Sequence, residues 1–415
     1  MKLGVFFIGN PASGGLFQYS LNILDSLKSR SQEVVIFNLS GPDYPQERYR
    51  GLFRTSGILR LVSFARRLVA STGNRLKVRS QNNITVDKAD AAQTSSRNMA
   101  RLLKILVKLH GVNLNIFTAP TQLSFLMNTP FIMPIHDLQH RLNPQFPEVS
   151  SDGLDKEREY IYANSLASAA VILVDSDIGK EDVLSCYPVE DSNRIKILPF
   201  TPSNYLCGDF SREELDRTRQ KYHLPPRFLF YPANFWAHKN HKAIIQALSY
   251  IKKNHELEIP IVFVGTKTGR YNNYTSIQEL IYTCELGDQV LYLGYVTNDD
   301  MGCLYKLAEA LVMPTFFGPT NIPFLEAFAL GCPVIGSDIR GVREQIGDAG
   351  LLVDPNSSED LAAAILRIWN DEKLRDVLIE KGYARIRQWD FDRFVATLNR
   401  IIDDAIRNLQ TGNTC

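Results

Sequence analysis

The sequence predicts an α/β protein built from two doubly wound, Rossmann-like domains in succession. Three observations carry that prediction. A chain of 415 residues exceeds one ordinary core and suits two domains of about 200 residues. Its 45% hydrophobic and 22% charged content is that of a folded soluble protein. The pattern of apolar strand, Gly- or Asn-rich turn and amphipathic helix starts twice, at Leu3 and again at Phe228, which implies two sheets rather than one.

Leu3–Ile8 is a continuous apolar run that stops at Gly9-Asn10-Pro11 and passes through Gly14-Gly15 into a helical pattern of Phe17, Leu21, Ile23, Leu24 and Leu27. Glycines at such a turn let a backbone approach a ligand, or simply pack the first turn of the fold. Val34–Phe37 is the next strand. From Arg48 to Val86 there are then nine basic residues and no acidic one. Within this stretch Ile58, Leu59, Leu61, Val62, Phe64, Leu68 and Val69 interleave with Arg60, Arg66 and Arg67, as in an amphipathic basic helix. Such a helix lies on an anionic membrane surface or packs on the core with a solvated cationic face. Gln81 to Asn98 is polar and short of large apolar residues, and reads as a mobile loop. Residues 1–200 hold 23 Lys+Arg against 18 Asp+Glu, so the first half carries +5 and the remainder −4. No nucleic-acid motif accompanies the basic stretch, and a near-neutral chain argues against nucleic acid as a partner.

Val112–Phe117 and Pro130–Ile135 are further strands, the second ending in His136-Asp137. An imidazole just past a strand's C-terminal end stands where α/β sheets bind ligands, or is satisfied within its own loop. An acidic helix precedes Ala169–Val174, whose Asp175-Ser176-Asp177 starts the next helix, and Ile195–Leu198 is the last strand before a Pro- and Asn-rich linker at Thr201–Asn204. The second series opens with Phe228–Tyr231 and PANFWAHKNHKAIIQAL, which sets Lys239 at a loop-to-helix junction. There an ammonium meets a diphosphate or is merely solvated. Ile261–Val264 and Val290–Leu293 are strands, the latter followed by Gly294-Tyr295-Val296, and Leu304–Leu311 reads as a helix.

The stretch Leu311 to Asp338, LVMPTFFGPTNIPFLEAFALGCPVIGSD, organises the chain. An apolar strand stops at Pro314, a loop of Gly, Pro, Thr and Asn follows, and a helix opens near Pro323 to carry Glu326. Unpaired amides at such a helix start suit a phosphate, and a first-turn glutamate either reaches ribose hydroxyls or supports its own helix. Pro333–Gly336 is another strand, LLVDP at Leu351–Pro355 a turn, and amphipathic helices run to about Leu409. The six cysteines form no CxxC pair and no Cys/His cluster, which suits a reduced cytosolic protein without structural zinc. No apolar run reaches the length of about 18 residues needed for a membrane span, so the chain is expected to be neither secreted nor integral to a membrane.

These residues resemble the retaining glycosyltransferases of family four, the glycosyl transferases group 1, and within it bacterial surface-polysaccharide and O-antigen mannosyltransferase-like members. LEAFALGCPVIGSD follows that family's second glutamate, Ala-rich helix, Gly-x-Pro step and strand ending in Ser-Asp, and PIHDLQHRLNPQF its strand ending in His-Asp. The resemblance implies the GT-B fold: two Rossmann-like domains facing across a cleft, with the C-terminal helix crossing back to the first at Trp389-Asp390-Phe391. The domains would be 1–205 on the acceptor side, 206–388 for nucleotide sugar, and a returning helix at 389–415. It implies that Gly14 and Gly15 face the donor phosphates, with Gln18 and Tyr19 at the helix start, that His136 contacts the donor sugar, and that Lys239 holds the diphosphate. It further implies that Glu326 grips the ribose and that the nucleobase packs at Tyr295 and Val296. Two positions depart from the family. Its first glutamate falls on Gly318, leaving the donor sugar to loop amides around Pro319 to Ile322, including Thr320, and to Asn321. Its arginine five residues before the lysine becomes Asn234, leaving the charge to Lys239 with His238 or Lys242 as helpers.

The implied activity is transfer of a hexose from a nucleotide-diphosphate sugar to a hydroxyl of a saccharide or lipid-linked saccharide in cell-surface polysaccharide synthesis. Configuration at the anomeric carbon is retained, and no metal or other cofactor is required, since Lys239, the helix start before Glu326 and the glycine loop already supply positive potential at the diphosphate. The FWAHKNH and GPTNIP variants resemble mannosyltransferases and favour mannose from GDP-mannose. No paired carboxylates flank a bond, which argues against a double-displacement hydrolase. A nucleotide-sugar epimerase of the same fold and a non-catalytic, transferase-like binding subunit are the alternatives. The expected location is cytoplasmic, peripheral on the inner face of the membrane through residues 48–79.

Overall fold

The computed structural model describes residues 1–10, 14–41, 44–49, 54–55, 84–202 and 210–411, of which 54–55 and 84–92 are described as backbone. The chain forms two compact units. The first comprises Met1–His136, Lys156–Pro199 and the chain from Phe394 onward; the second comprises Asp137–Asp155 and Phe200–Arg393.

The first unit holds a seven-stranded sheet of β1 (Lys2–Phe7), β2 (Val34–Asn38), β3 (Arg54–Thr55), β4 (Val112–Phe117), β5 (Phe131–Pro134), β6 (Val171–Val174) and β7 (Ile195–Ile197). The order is β3-β2-β1-β4-β5-β6-β7, and each pairing is parallel. The strands are apolar on both faces because a parallel sheet is covered by helices on both sides: Leu3, Val5, Phe6, Val35, Ile36, Leu114 and Ile116 are all fully buried. Phe6 stacks between Phe37 at 4.7 Å and Phe117 at 4.5 Å, locking β1 between its neighbours. The C-terminal helix Phe391–Gln410 buries Phe394, Leu398, Ile401, Ile402 and Ala405 at helical spacing. Its residues from Phe394 onward pack in this first unit, where Arg30 donates to Asn399 Oδ1 at 2.9 Å and pairs with Asp403.

The second unit holds β8 (Leu229–Pro232), β9 (Ile261–Val264), β10 (Val290–Tyr292), β11 (Ala310–Met313), β12 (Val334–Ser337) and β13 (Leu351–Val353) in the order β10-β9-β8-β11-β12-β13. These pairings are parallel as well. Counted within the unit, this is the doubly wound order whose direction reverses between the first and fourth strands, here β8 and β11. Helix His241–His255 lays Ile244, Ile245, Leu248 and Ile251 into the core, each such side chain contributing roughly 1.5–3 kcal/mol by burial.

Three local expectations are corrected. Ile84–Leu109 is one helix, not a loop to Asn98. Ala100, Leu103 and Val107 are its buried stripe, and the Ala- and Gln-containing stretch before them is helix-competent and extends a helix that is already nucleated. The helix before β11 is Asn298–Leu307, earlier than expected, because Ala308 turns to an extended conformation and frees Ala310 to pair with Leu229. Leu351–Val353 is a strand paired with Ile335–Ser337 rather than a turn, because the sheet offers its open edge there. The expected basic helix at 58–69 lies outside the described residues. Among the described residues, no helix is long and apolar enough to cross a membrane.

Candidate functional site

Open α/β sheets bind ligands beyond the C-terminal ends of the strands where the order reverses. In the second unit those are the exits of β8 and β11. The exit of β8 leads through Asn234 to the short turn Ala237–Lys239 and into helix His241–His255. The exit of β11 leads through Pro314–Asn321 into helix Ile322–Leu330. Hydrogen bonds stitch the two loops together. His238 O accepts from Phe316 N–H at 2.8 Å and from Thr315 Oγ1 at 3.1 Å. Asn240, buried and at φ 57°, donates its amide to Pro314 O at 2.9 Å and to Pro355 O at 2.8 Å.

Lys239 stands at this junction, partly buried, with its ammonium in no ion pair with a described residue. Burial pulls its pKa down to about 8, against the upward pull of the Glu148 and Asp137 carboxylates. Of its expected helpers, Lys242 is exposed on the helix. His238 adds no cation: burial lowers its pKa to about 4 despite the hydrogen bond with Glu148, so it is neutral near pH 7. His241 is neutral as well, lowered to about 3 by burial and stacked at 4.3 Å on Phe235. Asn234, in the arginine position, accepts from Thr266 N–H at 2.9 Å and so ties the exits of β8 and β9. Gly265 makes that approach feasible, since a Cβ there would lie 2.4 Å from Ala233 O.

The loop before helix Ile322–Leu330 is less open than its sequence suggests. Pro319 has no N–H, and Asn321 N–H donates to Gln345 Oε1 at 2.8 Å while Gln345 Nε2 returns a bond to Asn321 O at 2.8 Å. Thr320, of the expected set, has an interaction of its own. Gly318 stands at φ 138°. Glu326 is buried in the helix and accepts from Tyr305 Oη at 2.9 Å, so one of its oxygens is committed to the fold. Tyr305 is a partner that sequence reading missed, because nothing in the local pattern of its helix distinguishes it from a core aromatic. Tyr295 is 69% exposed beside the buried Val296, a flat open surface at the exit of β10. Among the described residues, no group of three or more His, Cys, Asp or Glu side chains is placed to hold a metal ion.

In the first unit the exits of β1, β4 and β5 correspond. Gly14 is exposed at φ 57° and caps helix Gly15–Ser26, with no atom within 4 Å of the place a Cβ would take. Thr118 Oγ1 accepts from Ile8 N–H at 2.9 Å and fixes the start of that turn. His136, at the exit of β5, is partly buried and stands edge-on to Tyr19 at 4.8 Å. Burial and Asp175 push the Tyr19 phenol well above its ordinary range, so it serves as a neutral, rigid wall for the imidazole. Gln18, half-buried, donates its N–H to Gly14 O at 3.2 Å.

Comparison with known proteins agrees with the resemblance read from the sequence. Residues 212–385 match the family model described as Glycosyl transferases group 1. O-antigen chain mannosyltransferase B of Escherichia coli is 27% identical over 55% of this chain and 59% of its own. The chain thus spans a little over half the length of that curated relative. Among solved structures, sucrose-phosphate synthase from Thermosynechococcus elongatus superposes with a TM-score of 0.73 over 98% of this chain and 99% of its own, at 18% identity. A protein of Anabaena in complex with UDP and glucose superposes at 0.68 over 97% of this chain and 100% of its own, at 14% identity. The fold is therefore GT-B, with two Rossmann-like units.

Proposed function

We propose, from the match of residues 212–385 to glycosyl transferases group 1 and from the unpaired ammonium at the β8–β11 junction, that the chain is a retaining, metal-independent hexosyltransferase. Its donor is a nucleotide-diphosphate sugar, with GDP-mannose favoured by likeness to the E. coli mannosyltransferase. Its acceptor is a hydroxyl of a saccharide or lipid-linked saccharide in surface-polysaccharide synthesis.

Transfer breaks the bond from the anomeric carbon to the diphosphate and forms one to the acceptor oxygen. The acceptor's proton passes to the departing phosphate oxygen on the same face of the sugar. Negative charge grows on the diphosphate, so fixed positive potential there lowers the barrier. Lys239 and the N-terminus of helix Ile322–Leu330 supply it, and Gly14 and Gly15 admit the phosphates to the backbone of the first unit. Glu326 accepts from the ribose, Tyr295 and Val296 carry the base, and Thr320, Asn321, Ile322 and Asn234 line the donor. His136 holds the sugar. The unpaired Lys239 is the observation that carries this reading.

The test is thermal stabilisation by a panel of GDP, UDP, ADP and dTDP sugars with magnesium or EDTA, since a ligand of the native state raises its midpoint. A shift with one base, kept in EDTA, is the expected result, and Lys239→Ala should cancel it and lower turnover by about tenfold or more. No shift with any sugar overturns the donor assignment and favours a non-catalytic binding subunit.

A further inference from the structure

His238 occupies the middle of the turn that carries Lys239, and its peptide is fastened on both sides. Its carbonyl is held by Thr315 and Phe316 as described. Its N–H donates to Glu148 Oε1 at 2.9 Å, and its ring Nδ1 lies 2.5 Å from the same oxygen. The ring face stacks on Phe317 at 3.9 Å, with Phe146 edge-on to both rings. Hydrogen bonds from the His238 ring and peptide outweigh the upward push of burial and hold the Glu148 carboxyl below its ordinary range. An ionised carboxylate only accepts, so Nδ1 carries the imidazole proton and Nε2 keeps its lone pair.

Glu148 comes from the short helical turn Pro147–Ser150. Its Oε2 is buried with no hydrogen-bond partner among the described residues.

We propose that Glu148 is a positioning residue for the Lys239 ammonium: by its two bonds to His238 it fixes the turn that presents the lysine. This rests on the reading of Lys239 as the diphosphate cation. The charged groups facing Lys239 are the Glu148 and Asp137 carboxylates, which favour its protonated form, while the neighbouring His238 and His241 are neutral. Anion binding needs the protonated lysine, so affinity is full below the lysine's pKa of about 8 and is lost as pH rises through it. Removing the Glu148 charge takes away one upward pull, so that loss begins at lower pH.

GDP and UDP binding, titrated calorimetrically from about pH 7 to about pH 9.5, tests this. In Glu148→Gln the alkaline loss of affinity should move to lower pH, leaving binding at about pH 8.5 weaker than native by about threefold or more, relative to pH 7. Glu148→Asp should restore the profile in part, and Lys239→Met should bind weakly with no alkaline limb. A Glu148→Gln profile that coincides with the native one overturns this proposal and leaves the lysine's role intact. Native-like binding by Lys239→Met, or no binding of either nucleotide by the native protein, overturns the reading beneath it. Should Glu148→Gln fail to fold, Asp137→Asn, which removes the other carboxylate without touching His238, must still move the limb to lower pH, and an unmoved limb overturns the electrostatic role.

Discussion

At Gly318 the backbone stands at φ 138°, a conformation that side chains strain against, and a Cβ there would meet Asn321 Nδ2 at 2.7 Å and Oδ1 at 2.8 Å. The glutamate that the family carries at this position is thus strained in this loop by the backbone, while the atoms it would meet are the end of the Asn321 side chain. Gly318→Glu is expected to cost about 1–3 kcal/mol of stability through the backbone alone and to weaken nucleotide-sugar binding. Thermal melts with and without donor measure both, and a variant with native stability and improved turnover would show that the loop accepts the carboxylate. Glu148 marks the limit of sequence reading at this scale. No spacing links Glu148 to His238, which lies 90 positions later.

At the scale of elements, the two loops of the donor site hold each other. Asn240 bridges the exits of β11 and β13 through Pro314 O and Pro355 O from a left-handed backbone position. Asn240→Ala leaves two buried carbonyls unsatisfied and places alanine at positive φ, which together should cost about 2–4 kcal/mol in urea unfolding. A loss under about 0.5 kcal/mol would show that water or loop movement replaces the amide. Most strands were legible because parallel sheets bury both faces and leave continuous apolar runs; Val112–Phe117 and Ile261–Val264 have the expected bounds. Strand Leu351–Val353 was not, because a three-residue edge strand has almost no pattern of its own and is defined by its partner. The helix from Ile84 was hidden in the same way, its polar start being carried by an apolar stripe further along.

Over the whole molecule, the excess of positive charge in the first half is concentrated between Arg48 and Arg79. We infer from it a contact with an anionic membrane surface. Each basic residue near such a surface contributes about 1 kcal/mol, so replacing Arg60, Arg66 and Arg67 by Glu should weaken binding to phosphatidylglycerol vesicles by more than about a hundredfold. Equal sedimentation of the variant and the native protein with those vesicles would leave the stretch as ordinary surface. The sequence by itself determined that there are two doubly wound units, where most of their strands run, and that Gly14, His136, Lys239 and Glu326 follow strand ends, because those features are written in local periodicity and turn chemistry. Only the tertiary structure decided which groups at those ends are free. Among the described residues Lys239 is left without an ion pair, His238 is neutralised by burial beside Glu148, Asn321 is spent on Gln345, and Glu326 is shared with Tyr305. Hydrogen-bond partners and desolvation are properties of three-dimensional neighbours, and chains that fold into sheets choose those neighbours from tens to hundreds of residues away.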